Sequence, residues 1–176
     1  MAADELAALE PACTTADALA FYDGLGAVPA GDLLGRWRGR ELGTGHPMDG
    51  RLVASGWYGK QFDDLDHVHP LLVAAPDGEV FPVEPRWVPL GLVDKVSPAA
   101  LRRGRQALGV LKPVLRARKH RARLCEVRHR GVVTAAMVYD HLPIIDVFRR
   151  VDDRTVLGVM DLRRIPQPYF FILQRD

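Results

Sequence analysis

The sequence predicts a mainly β protein: one small, closed, antiparallel barrel of about nine to ten strands, with a short N-terminal helix and one mid-chain helix over 97–110. Three observations predict it. Strand-length apolar segments recur through the last third of the chain with polar turns between them. Several of these segments are apolar on both alternating faces, as in Val132-Val133-Thr134-Ala135-Ala136-Met137-Val138, which fits a barrel with an apolar interior and a helix over part of its outside. Finally, Trp37 stands between two glycines in Gly35-Arg36-Trp37-Arg38-Gly39, and glycine leaves room beside a large ring where backbones crowd.

The elements follow in order. A helix is expected over 16–23, capped by Thr14 or Thr15 and stopped at Gly24. A turn over 30–34 feeds the Trp37 strand. The stretch 52–62 reads as a strand carrying Trp57 and Tyr58 on opposite faces; the pattern leaves open which of them points inward. Strands over 71–75 and 79–83 flank Pro76-Asp77-Gly78, which is hairpin chemistry. Pro82, Pro85 and Pro89 keep 80–92 out of a central strand position. Ser97-Pro98 opens the mid-chain helix, with Gly109 or Lys112-Pro113 as its end or kink. Strands over 124–129, 132–140, 144–151, 155–163 and 169–175 complete a meander. The division expected is a helical segment over 1–32 and one barrel domain over 33–176.

Composition narrows the function classes. Of 176 residues, 48% are hydrophobic and 26% charged, an ordinary globular balance. Residues 1–10 are acidic with no long apolar run, so neither a signal peptide nor a membrane anchor is expected and the expected compartment is the cytoplasm. Cys13 and Cys125 make no disulfide framework. Charge is uneven: 102–130 holds eleven Lys or Arg and one acid, a net +10 in a chain of net +2. Such a stripe suits an anionic membrane surface or an acidic partner. It contains no Phe, Tyr or Trp, so the base-stacking platform of single-strand binders is missing and nucleic acid is not an expected partner.

Five segments carry a family resemblance. Gly35-Arg36-Trp37-Arg38-Gly39 with Gly56-Trp57-Tyr58-Gly59-Lys60-Gln61-Phe62 and His69-Pro70-Leu71 resembles the bacterial GXWXG family. The run from Ala135 through Asp140-His141-Leu142-Pro143 to Arg149, continued by Val156-Leu157-Gly158-Val159-Met160-Asp161, resembles the companion domain of unknown function that follows it. The first strand also looks like that of the calycins, the lipocalin and fatty-acid-binding barrels. That resemblance implies a structural Trp37 closing one barrel end beneath a late-strand arginine, Arg175 or else Arg163 or Arg164. Stacking of this kind contributes about 0.5–2 kcal/mol. Heme is not expected, because none of the six histidines lies in the last two strands.

For chemistry, the strongest constellation is polar groups set in apolar strands: Lys60, Tyr139, Asp140, Asp146 and Asp161. The expected ligand contacts are Trp57, Tyr58, Lys60, Met137, Tyr139, Asp140, Asp146, Phe148 and Phe171. If the protein is an enzyme, Lys60, Tyr139 and Asp140 are the expected catalytic groups. His67-Val68-His69, with Asp63, Asp64 and Asp66 nearby, alternates as metal ligands do but lacks a third well-placed ligand, so no metal and no cofactor are assigned. The expected function is a lipocalin-like binding protein for a small, mostly apolar ligand, fatty-acid-like or polyketide-like; the alternative is a cofactor-independent cyclase or isomerase using the same cavity.

Overall fold

The structure, a computed structural model, describes residues 1–87 and 95–176. Nine strands form one antiparallel sheet: β1 (Gly35–Leu42), β2 (Trp57–Phe62), β3 (Val68–Ala74), β4 (Val80–Pro82), β5 (Ala122–His129), β6 (Val132–Tyr139), β7 (Ile144–Arg150), β8 (Thr155–Leu162) and β9 (Ile165–Arg175). The order β2-β1-β9-β8-β7-β6-β5-β3, with β2 also pairing β3, closes eight strands into a barrel. β4 is an extra strand on β3, delivered by the Pro76-Asp77-Gly78 hairpin. Closure at β3–β5 rests on a single register pair, Val68 with Ala122.

Five α-helices accompany the barrel among the described residues: α1 (Ala2–Leu9), α2 (Thr15–Gly24), α3 (Arg51–Ser55), α4 (Pro98–Gln106) and α5 (Leu108–Leu115). The Thr14 hydroxyl accepts from Asp17 N, and the Asp17 carboxylate accepts in return from Thr14 N, a reciprocal cap that starts α2. The sequence reading has no counterpart for α1. It also takes 52–55 as strand, where the chain makes one helical turn. Gly50 and Gly56, both left-handed, bracket that turn and confine β2 to residues from Trp57 onward. The mid-chain helix is two helices broken at Ala107, and α5 continues through Pro113. Lys112 in that turn is held by Asp77 and Glu79 at 3.0 and 2.5 Å. Of the proline-interrupted stretch expected over 80–92, residues 88–92 lie outside the described residues.

Strand alternation separates two cores. Inside, Trp37, Phe62, Leu124, Ala135, Met137, Phe148, Met160, Tyr169 and Phe171 pack together. Outside, Leu157, Val159, Phe170 and Ile172 of β8 and β9 are covered by Leu6 of α1 and Ala18, Phe21 and Tyr22 of α2. The same strands therefore bury both faces, which is why their sequences are apolar throughout.

The tryptophan motif closes one end. Trp37 is 1% exposed, and its indole N–H donates to Leu33 O at 2.6 Å. The Arg175 guanidinium lies 4.4 Å from the ring centroid and donates to Leu34 O and Asp32 O. Gly39 has a different task. A Cβ there would stand 2.2 Å from the Trp57 ring, so the second glycine of the motif is the bed on which the neighbouring strand's indole lies. Trp57 thereby turns inward and Tyr58 outward.

Candidate functional site

A cavity of about 60 Å³ opens from the barrel interior, lined by Met48, Leu52, Trp57, Lys60, Leu71, Pro85, Tyr139, Leu142, Ile144, Asp146, Met160, Tyr169 and Phe171. A single water needs roughly 10–15 Å³ on this measure, so the space takes a group of a few heavy atoms. Leu52 and Leu71 also line a second, apolar groove of about 210 Å³. That groove runs under α4 and α5, past Val73, Trp87, Leu101 and Leu115.

The polar floor is an ion pair. Lys60 of β2 and Asp146 of β7 meet at 2.8 Å, their side chains 5% and 1% exposed. Lys60 Nζ also donates to Pro70 O at 3.1 Å and reaches the Tyr139 hydroxyl at 3.5 Å. Its ammonium lies 5.0 Å from the Phe171 ring centroid, 5.7 Å from Tyr139 and 5.9 Å from Trp57, so aromatic faces offset part of its lost hydration. Asp146 is less well served. Burial pushes its carboxyl pKa up, against the pull of Lys60, and among the described residues Oδ1 has no hydrogen-bond partner. Burial and the Asp146 charge hold the Tyr139 phenol well above its usual pKa of 10, so it stays a neutral O–H. Because Lys60 donates to its oxygen, that proton is free for another acceptor. The floor thus presents one open acceptor, Asp146 Oδ1, and one open donor, Tyr139 O–H.

A second polar group borders the cavity. The Tyr169 hydroxyl donates to Glu41 Oε1, which also accepts from Leu52 N at 3.1 Å, and burial raises the Glu41 pKa. The His46 ring meets Tyr169 edge-on at 5.2 Å. His46 Nδ1 accepts from Met48 N at 3.0 Å, so Nε2 bears the proton and donates to Gln167 O at 3.2 Å. That arrangement needs a neutral ring, and burial lowers the His46 pKa accordingly. A histidine whose folded pKa lies below its unfolded value of about 6.5 costs stability as pH falls past that value, because the unfolded chain takes the proton first. The melting temperature should therefore fall between about pH 7 and 5, and His46→Gln should flatten the slope.

Trp57, Lys60, Tyr139, Asp146 and Phe171, all expected ligand contacts, come together here. The others do not. Tyr58 faces outward beneath Arg36 and Arg38, its hydroxyl donating to Asp176 at 2.7 Å. Asp140 is exposed just past β6, because a one-residue step along a strand reverses the face; Asp161 is exposed as well. Met137 and Phe148 are buried in the inner core without lining the cavity, Phe148 packing between Phe62 and Phe171.

Comparison with known proteins adds the family. The GXWXG protein family model matches residues 20–78, and the model of a domain of unknown function, DUF4334, matches residues 120–175. A crystal structure of a protein from Thermomonospora curvata is similar to this chain at 39% identity. The match covers 93% of this chain and 88% of that one, with a TM-score of 0.69. The chain belongs to the GXWXG–DUF4334 family. A search of curated proteins finds no match.

The two matched halves share the cavity: Trp57, Lys60 and Leu71 come from the GXWXG half, and Tyr139, Asp146, Met160, Tyr169 and Phe171 from the DUF4334 half. Sequence reasoning passed over Glu41, His46, Tyr169 and Met160. Strand periodicity carries a signal for two of them: Glu41 shares a face with Trp37 and Gly39, and Tyr169 with Phe171. Nothing local marks His46, which reaches Tyr169 from a loop.

Proposed function

We propose that the barrel binds a small, mostly apolar molecule, fatty-acid-like or polyketide-like, with its polar end on the Lys60–Asp146–Tyr139 floor. The observation that carries this reading is the unpartnered Asp146 Oδ1 beside the available Tyr139 O–H at the base of an apolar cavity. A buried acceptor without a partner costs about 1–3 kcal/mol, and a ligand bearing a hydroxyl beside a carbonyl would satisfy both groups. The cavity itself takes only the head. An apolar tail would pass between Leu52 and Leu71 into the groove under α4 and α5.

Those helices supply a docking face on this reading. Val110, Leu111 and Val114 of α5 are exposed, as are Arg102, Arg103 and Arg105 of α4, a mixture suited to an anionic membrane from which an apolar ligand is taken. Part of the basic stripe has structural partners instead: Lys112 and Arg116 pair with Glu79, Arg121 with Glu84, and Arg130 with Asp23. No helix among the described residues is long and apolar enough to cross a membrane.

The test is titration of a fluorescent polyene fatty acid, with native mass spectrometry of the complex. One-to-one binding is expected. It should weaken at least about tenfold in Leu52→Trp, which enlarges a side chain lining both the cavity and the groove, and several-fold in Tyr139→Phe, which removes one hydrogen bond. Equal affinity in wild type and Leu52→Trp would reject the cavity as the site.

A second reading has its own support. A carboxylate of raised pKa beside a neutral phenol donor is suited to moving a proton next to a carbonyl, so the alternative is a cofactor-independent isomerase or cyclase. Asp146, rather than the exposed Asp140, would then be the base. Deuterium uptake at the carbon beside a bound carbonyl, lost in Asp146→Asn, would favour it over simple binding.

A further inference from the structure

We propose that Asp63, His69 and His120 form a binding site for a divalent transition-metal ion, zinc above all, on the outer wall of the barrel away from the cavity. One ligand atom from each of the three lies within 4.8 Å of the others. Two imidazoles and a carboxylate are a donor set that suits zinc, and a tetrahedral ion about 2.0–2.2 Å from each would need them roughly 3.4 Å apart. Small side-chain rotations close that gap.

The backbone already holds the three in place. Asp63 follows β2 in a tight hairpin tip, where its N–H donates to His67 O at 2.9 Å. His69 pairs with Gln61 across β2 and β3, on the outward face opposite the buried Lys60 and Phe62. His120 arrives just before β5, fixed by Arg121 N donating to Val68 O at 3.0 Å.

The side chains are also arranged for a cation. Gln61 Nε2 donates to Asp63 Oδ1 at 2.7 Å and so orients the carboxylate, leaving Oδ2 for His120 Nε2 at 2.8 Å. Second-shell support of this kind is what tunes a metal ligand. The rings of His69 and His120 lie 4.3 Å apart, close quarters for two imidazolium ions. His69 Nδ1 is buried with no partner among the described residues. His67 touches His120 edge-on at 4.9 Å but is engaged by Asp64, with Nδ1 within 2.8–2.9 Å of its carboxylate oxygens. Three protein ligands leave a coordination position open to water.

The site spans the barrel's thinnest seam, where β3 and β5 share one register pair. Metal binding should therefore stabilise the closed barrel. The experiment is calorimetric titration of zinc chloride into the full chain after EDTA dialysis, with melting temperatures measured in parallel. One equivalent should bind and raise the melting temperature. His120→Ala and Asp63→Asn should each weaken binding at least about tenfold, while His67→Ala leaves it in place. The His120 side chain is partly buried, 32% exposed, so its variant should stay folded in EDTA, and its melting curve there separates lost ligation from lost folding. Absence of stoichiometric binding, or unchanged affinity in His120→Ala, would overturn the proposal.

Discussion

Lys60→Met should be the most damaging single substitution in the cavity, costing about 3–5 kcal/mol in chemical denaturation at pH 8. The pair is almost fully buried, so removing the lysine leaves a carboxylate with no compensating charge and one oxygen already unpartnered. Asp146 has one escape, which is to bind a proton. Its folded pKa already lies above the ordinary value through burial, and loss of Lys60 removes the charge that pulls it down. A carboxyl raised in the folded state contributes stability at low pH that is lost as pH rises through its folded pKa. Lys60→Met should accordingly lose much less stability at pH 5 than at pH 8. The double variant Lys60→Met/Asp146→Leu should recover most of the loss, since apolar replacement of a buried pair is often neutral or better. Equal losses at both pH values would mean that Asp146 is not the stranded charge.

Gly59→Ala should prevent the barrel from forming, or cost about 3 kcal/mol or more if the chain still folds. A Cβ at this position would stand 1.9 Å from the Trp37 carbonyl oxygen and 2.9 Å from Gly39 N, both backbone atoms with no rotamer by which to withdraw. The backbone φ of +154° adds strain for any L side chain. The clash falls where β2 shifts register on both sides of Gly59, one residue before Lys60. Displacing this strand would break the β1–β2 ladder and the ion pair together. Gly31→Ala, with nothing within 4 Å of its new methyl, is the control and should leave stability within about 0.5 kcal/mol. Circular dichroism and denaturant midpoints of the two variants make the comparison.

Both expectations concern residues whose type is visible in the chain but whose consequence is not. Alternation along β6 and β7 places Tyr139 and Asp146 on inward faces, and a charged residue in an apolar strand is a local signal that Lys60 and Asp146 both carry. Asp140 has the same chemistry, and only strand parity, with β6 ending at Tyr139, sends it to solvent. The choice between Trp57 and Tyr58 is different. It depends on Gly39, eighteen positions away, because the indole turns inward where a neighbouring strand offers no side chain. For the one-turn α3 the sequence predicts strand, because its apolar residues say nothing of the two left-handed glycines that bracket it.

Period-two patterning, turn residues and the Gly-Arg-Trp-Arg-Gly motif are local properties, and read along the chain they specify a mainly β protein of antiparallel strands. The chain also displays the candidate ingredients of a polar site: a lysine, three acids and a phenol among apolar strands. Tertiary structure alone decided which acid meets the lysine, and that His120 joins Asp63 and His69. Those meetings depend on β7 lying across the barrel from β2, and on β5 closing against β3. Ring closure is set by the sum of all strand pairings, so no short segment of the chain encodes it.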